Sequence, residues 1–199
     1  MPDSPLVAID IALLPPPEVS ARALELSAAL PGAESQGLRL DADHLPHVTL
    51  TQQFVRREDL EAALDRVAMA LAGRPPLQLV VSGGGRSRSS VWMTIESTPA
   101  LVGLHAHLME VLQRFEQSDG TAAAFAGGDA RPGDVLWVGG YRLESSFARF
   151  TPHITLGHAA APPAVERIAF VATTIGACHL GRFCTCRRVL RRWTLGTEG

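Results

Sequence analysis

Hydrophobic positions along the chain change spacing repeatedly, and the changes mark out its elements. Residues 6–14, LVAIDIALL, are a short apolar run that predicts a buried strand. PPPEVSARALELSAALPG then predicts a helix: prolines stand at its start, Val19, Ala23, Leu26 and Leu30 recur at helical spacing, and Pro-Gly stops it. GLRLDADHLPHVTLTQQFV at 37–55 reads as a strand, a turn near Asp41 to Asp43, and a second strand. EDLEAALDRVAMALAG opens with acids suited to a helix N-terminus, places Leu60, Leu64, Val67 and Leu71 on one face, and closes on Gly73.

LQLVVSGGGRSRSSVWMTIES at 77–97 predicts a hairpin connected by a loop from Ser82 to Ser90. The clearest helix follows, with Thr98 as N-cap, Pro99 at its first position, and Leu101, Leu104, Leu108, Leu112 and Phe115 as its buried stripe. Residues 117–134, rich in Gly, Ala and Asp, read as a mobile loop. LWVGGYRL, FTPHITLG, ERIAFVATTIGACHLGRF and RRVLRRWTL are further strand candidates. In the last, Val189, Arg191, Trp193 and Leu195 alternate with Arg188, Leu190, Arg192 and Thr194. Helices and hairpins mix without regular alternation, which predicts an α+β fold with antiparallel sheet.

Length and composition narrow the class. A chain of 199 residues, 46% hydrophobic, buries a core of its own and is expected to be one unit over 1–199. Its apolar stretches fall short of the roughly 20 residues that span a bilayer, and its start has no positive n-region, so a soluble, cytoplasmic monomer is expected. Cys178, Cys184 and Cys186 are odd in number and clustered late, which favours reduced structural thiols. A net charge of -2 confines any nucleic-acid contact to a local patch. The chain has neither Lys nor Asn, so all 18 basic residues are Arg; lysine Schiff-base and P-loop chemistry are excluded.

Within this pattern one phrase occurs twice, PHVTL at 46–50 and PHITL at 152–156. On a strand, His47 and Thr49 share one face while Val48 and Leu50 point to the other, and His153 and Thr155 stand likewise against Ile154 and Leu156. A lone His on a strand is usually structural; two identical settings point to one chemical demand. Imidazole titrates near neutrality, so one copy can accept a proton while the other gives one. Cleavage of a phosphodiester needs such a base and acid in line, and donors on the non-bridging oxygens, which the threonines supply. Neither a metal nor another cofactor is required.

The paired motif resembles the 2H phosphoesterase superfamily, and within it the LigT-like 2′-5′ RNA ligase and RNA 2′,3′-cyclic phosphodiesterase branch. VAIDIALLP, the LQLVVSGGGRS to SVWMTIES hairpin, the TPALVGLHAHLMEVL helix and FARFTPHITLG occur in the order such proteins show, so the resemblance runs over nearly the whole length. It implies a bilobal α+β fold: two antiparallel sheets related by a pseudo-twofold, helices on the outer faces, and a central cleft. It also implies that His47 and His153 are the acid-base pair and that Thr49 and Thr155 hold phosphate. The implied activity is hydrolysis of a 2′,3′-cyclic phosphate on RNA ends or a small nucleotide, typically to a 2′-phosphate, with 2′-5′ ligation in some relatives. Many LigT-like members carry a basic residue just after the second motif, where this chain has Gly157 and His158.

Several other groups compete for roles. Arg142 and Arg149 lie near the second motif and are expected to meet phosphate. SGGGRSRSS reads more readily as a flexible turn than as a phosphate cradle, with Arg86 and Arg88 free to reach the cleft rim. Phe54, Phe150, Trp92 and Tyr141 are base-stacking candidates whose plain alternative is core. RRVLRRW reads equally as a nucleic-acid patch or a solvated strand face. His105 and His107 cannot chelate together on a helix, and His44 with His47, or His179 with Cys184 and Cys186, match no common zinc spacing. The function alternatives are a nucleotide- or RNA-binding module using the same cleft without turnover, and a zinc protein.

Overall fold

The computed structural model describes residues 4–196; the ends of the expected 1–199 unit lie outside the described residues. Eight strands and four helices are formed: β1 (Leu6–Leu14), α1 (Pro17–Ala29), β2 (Val48–Arg56), α2 (Leu60–Leu71), β3 (Leu77–Ser87), β4 (Ser90–Ile95), α3 (Pro99–Leu112), α4 (Pro132–Glu144), β5 (His153–His158), β6 (Ile168–Ala172), β7 (Thr174–Leu180) and β8 (Cys186–Thr194). The strands run in the order β6-β3-β4-β5-β2-β1-β7-β8, antiparallel throughout and strongly curled into a half-barrel. This is the expected α+β class. The two four-stranded halves meet at their motif strands, and a single pair, Val48 with Ile154, joins them into one sheet. These are equivalent positions of the two repeated phrases, so the pseudo-twofold passes between them.

The core lies between this sheet and α1, α2 and α3. Val48, Leu50, Ile154 and Leu156 are fully buried there among Val19, Ala23, Leu64, Val67, Leu101, Leu104 and Leu108. α1 packs on β5, and α3 packs on β2 and α2. α4 covers β2 from the other side, where Val138 joins Ala8, Phe54, Phe125 and Leu180 in a smaller cluster.

Both motif strands carry a β-bulge at the same letter. Against β1, Thr51 pairs with Ile11 and Thr49 with Ala12, leaving Leu50 as the extra residue. Against β4, Gly157 pairs with Val91 and Thr155 with Trp92, leaving Leu156 extra. A bulge leaves its residue outside the ladder, and here the helix packed behind each strand satisfies the carbonyl. His105 Nδ1 of α3 lies 2.6 Å from the Leu50 oxygen, and Ser27 Oγ of α1 donates to the Leu156 oxygen at 2.6 Å. Ser27 Oγ also accepts from Leu40 N at 2.9 Å. His105 accepts at Nε2 from Phe147 N at 2.8 Å and stacks on Phe150, ring centroids 3.9 Å apart. It therefore ties the first bulge to the segment leading into the second motif. Gly157 follows its bulge at φ +147, and a Cβ there would meet Leu30 Cδ1 at 3.0 Å.

Five expectations are corrected. LWVGGYRL is not a strand but the body of α4, because Pro132 starts a helix and Asp134 Oδ2 accepts from Arg131 N at 2.9 Å as its cap. Residues 37–41 form no strand: Gly37 N and Leu38 N donate to Ser35, Leu40 N donates to Ser27 Oγ, Leu38 O accepts from the Arg39 side chain, and Asp41 makes only an isolated bridge to His44. Residues 117–134 are a loop only as far as Arg131, broken by a single 3-10 turn at Ala122–Ala124 and packed on the protein where Gln117 bridges to Phe54 and Ala124 and Phe125 join the smaller cluster; Pro132 to Asp134 already belong to α4. The hairpin connection is only the turn Ser87 to Ser90, with Arg88 at φ 54, so the triple glycine belongs to β3. The alternation expected at the C-terminus also breaks: a register shift at Leu190 turns Val189 towards Cys178 and Cys186, while Leu190 and Trp193 pack on the main core.

Burial pushes the His105 pKa below its ordinary 6.5; the Leu50 carbonyl bond opposes this and Arg142 adds to it. The folded protein therefore binds a proton here less readily than the unfolded chain, and stability is lost as pH falls from about 6.5 towards the depressed native value. Denaturant titrations should show lower stability at pH 5 than at pH 7.5, and His105→Phe should reduce that difference. Ser27→Ala, which strips Leu156 O and Leu40 N of a partner, should cost about 1–3 kcal/mol at either pH.

Candidate active site

Each bulge resets the alternation of its strand, so the face that shows His47 and Thr49 next shows Gln52, five residues beyond the His. On β5 the same shift places His158, opposite Ser90, on the face of His153 and Thr155. The two halves thus present matched rows, His-Thr-Gln and His-Thr-His. The imidazoles are held alike. Nδ1 of His47 lies 2.7 Å from Leu45 O, and Nδ1 of His153 lies 2.7 Å from Thr151 O. A carbonyl only accepts, so Nδ1 carries the proton of each neutral ring and Nε2 is the nitrogen left for chemistry.

Beneath the first row sits Asp10 of β1, fully buried. Its Oδ2 accepts from Thr49 Oγ1 at 2.7 Å and from Gln52 Nε2 at 2.8 Å, and lies 3.7 Å from His47 Nε2. Gln52 Oε1 in turn accepts from Trp137 Nε1 of α4 at 3.0 Å. Oδ1 of Asp10 is buried with no hydrogen-bond partner. Burial raises the Asp10 pKa above its ordinary 3.8, against the opposing pull of His47, Gln52 and Thr49. At His153 burial acts the other way: it lowers the pKa below 6.5, the Thr151 carbonyl bond opposes the shift, and nearby His47 adds to it. Its surroundings therefore keep the His153 imidazole neutral at physiological pH.

Around the second row, Trp92 lies against His153 with ring centroids 4.9 Å apart. Gly85 of β3 makes room for that indole: a Cβ there would fall 2.1 Å from Trp92 Nε1. His158 Nδ1 is 3.1 Å from Ser89 Oγ, and its ring is 5.7 Å from that of Phe183. Arg131 stacks over Phe183 at 3.9 Å while ion-paired to Asp134 at 2.6 Å. Burial, then the Arg131 charge, lowers the His158 pKa. The Arg131 guanidinium, reached through Phe183, thus joins His158 at the edge of the site.

His47, Thr49, His153 and Thr155 are brought to one face, as their alternation suggested. Arg142 and Arg149 are engaged elsewhere: Arg142 pairs with Glu116 at 2.5 Å and donates to Met109 O, while Arg149 pairs with Glu144 and donates to Leu143 O. Arg86 donates to Ala160 O. Among the stacking candidates Phe54 and Tyr141 are buried, Phe150 covers His105, and Trp92 alone borders a catalytic candidate. Asp10, Gln52, Trp137 and Arg131 were missed. Asp10 had a signal, a single carboxylate inside the nine-residue apolar strand LVAIDIALL; Gln52 had none, because a bulge is not written in the alternation.

The sequence signature of the 2′-5′ RNA ligase superfamily matches residues 15–180. The chain belongs to that superfamily, the 2H phosphoesterases. No curated protein matches it. Among solved structures, Escherichia coli LigT complexed with NADP+ superposes with a TM-score of 0.65 at 19% identity, over 96% of this chain and 99% of that one. LigT complexed with 3′-AMP gives 0.62 at 22%, over 96% and 99%, and a Thermus thermophilus protein gives 0.62 at 16%, over 97% and 100%. At these identities the likeness is one of fold.

Gly85→Ala should displace Trp92 and with it His153 while leaving the core intact. In NMR spectra the His153 ring protons, which lie beside the indole, should move, and those of His105 should not.

Proposed function

We propose that this superfamily member hydrolyses a 2′,3′-cyclic phosphate on an RNA end or a small nucleotide, using two imidazoles and no metal. The observation that carries the reading is the matched anchoring of His47 and His153, each with Nδ1 on the carbonyl two residues back, on strands paired at Val48 and Ile154. In this reading His153, kept neutral by burial, takes a proton from water as its oxygen attacks phosphorus. One ring P–O bond breaks in line, and His47 gives its proton to the leaving ribose oxygen, with Asp10 facing the charged ring. Thr155 and Thr49 hold the non-bridging oxygens, Thr49 by turning its hydroxyl from Asp10 to the phosphate, and the Arg131 guanidinium adds positive potential at the edge.

Replacing water by an RNA 5′-hydroxyl in the same exchange makes a 2′-5′ phosphodiester, the reaction for which the superfamily is named. LigT has been crystallised with 3′-AMP, ATP and NADP+, which supports an adenine nucleotide as a fair probe of this cleft. The reading also takes the chain as one monomeric, cytoplasmic domain; no helix among the described residues is long and apolar enough to cross a membrane.

Hydrolysis of a 2′,3′-cyclic nucleotide should proceed in the presence of chelator. His47→Ala and His153→Ala should each lower kcat by about 10²–10⁴-fold with little change in KM. Chelator-sensitive turnover, or activity surviving both substitutions, overturns the mechanism. A wild type that binds nucleotide without turnover makes the chain a binding module.

A further inference from the structure

Asp10, His47 and Cys186 come from β1, the residue just before β2 and the start of β8, and one ligand atom from each lies within 4.8 Å of the others. All three side chains are buried. Neither separation along the sequence nor any short motif links them. A carboxylate oxygen, an imidazole nitrogen and a sulfur form a donor set suited to zinc, which takes N, S and O ligands in a tetrahedron.

The ligands are also oriented in the manner of a metal site. A metal-bound imidazole almost always donates its other N–H to a carbonyl or carboxylate, and His47 Nδ1 already lies on Leu45 O at 2.7 Å, leaving Nε2 facing Asp10. Metal-binding carboxylates are in turn hydrogen-bonded, and Asp10 Oδ2 holds Thr49 and Gln52. The remaining oxygen, Oδ1, is an orphan in a fully buried side chain. A buried carboxyl group with one oxygen unpartnered is costly in this fold, and a dication beside it removes the cost. Three protein ligands leave a fourth position free for water or a phosphate oxygen.

We infer that Asp10, His47 and Cys186 form a binding site for one thiophilic divalent cation, zinc in kind, whose occupancy switches off hydrolysis by occupying His47 Nε2. On binding, the Cys186 thiol loses its proton to solvent and the metal–sulfur bond replaces it. The inhibitory part rests on the proposed acid-base role of His47, whereas binding does not, so the two are tested separately.

Chelator-treated protein titrated with Co2+ alone should take up one equivalent, with a thiolate-to-cobalt charge-transfer band and the intense d–d bands of a four-coordinate ion. Zn2+ should displace it and raise the melting temperature. Cys186→Ser, and Cys186→Ala as a second variant should the first fold poorly, should lose the band; Cys184→Ser should keep it. Gln52→Leu should weaken cobalt binding by about 10–100-fold by freeing the carboxylate. In the hydrolysis assay one equivalent of Zn2+ should slow the wild type by about a hundredfold, chelator should restore it, and the rate of Cys186→Ser, whatever its value without metal, should not respond to zinc. Cobalt uptake without a thiolate band, or a band surviving in both Cys186 variants, overturns the site. Full activity of the zinc-loaded wild type overturns the inhibition alone, and a wild type silent with and without metal strikes the hydrolase reading while the cobalt spectra still decide the site.

Discussion

The site depends on two extra residues. Leu50 and Leu156 each interrupt a ladder, and each interruption turns the next part of the strand so that a polar side chain five residues after the histidine joins the face of the motif His and Thr. A bulge survives only if its unpaired carbonyl finds a donor, and each finds it in the helix behind: His105 for one, Ser27 for the other. The helices therefore do more than cover apolar surface. They hold the strand distortion that aims the chemistry outward, and His105 does so while also holding Phe147 and Phe150 ahead of the second motif.

The distortion has a cost in β2. Past the bulge, Thr51 and Gln53 pair with Ile11 and Ile9 and are buried, and Thr51 Oγ1 and both amide atoms of Gln53 have no hydrogen-bond partner. Asp10 is a further expense, a carboxyl group under the first motif with one oxygen unmet. Such groups oppose folding by about 1–3 kcal/mol each. Asp10 stands beside the first motif only, so the two halves, alike in backbone, differ in electrostatics: His47 faces a carboxylate, and His153 faces an indole. That asymmetry is what separates the two imidazoles into acid and base in the proposed reaction.

Much was legible in the chain. The repeated Pro-His-aliphatic-Thr-Leu phrase placed His and Thr on one face, and the aliphatics it assigned to packing are fully buried. Helices with strong stop and start signals, such as the one capped by Thr98, lie where their signals put them; Leu101 N donates to Thr98 Oγ1 at 3.2 Å. Failures arose where local composition and tertiary setting disagreed. LWVGGYRL carries Trp137, Val138 and Tyr141, residue types favoured in strands, but Pro132 and the Asp134 cap start a helix. Arg142 and Arg149 are close to the motif in sequence, yet carboxylates elsewhere hold them.

By itself the sequence determined the alternation, and with it which side chains of each motif strand build the lobe and which leave it, because side-chain direction on a strand is a local property of the backbone. It also determined the α+β class, through the order of helical and extended spacing. The tertiary structure decided what lies beside each histidine. Asp10 and Cys186 reach His47 through strand pairing across the sheet, Trp92 reaches His153 because Gly85 leaves it room, and Gln52 and His158 turn inward at bulges stabilised from distant helices. These are contacts between residues far apart in the chain, and their geometry is set by packing and hydrogen-bond satisfaction that no single segment carries.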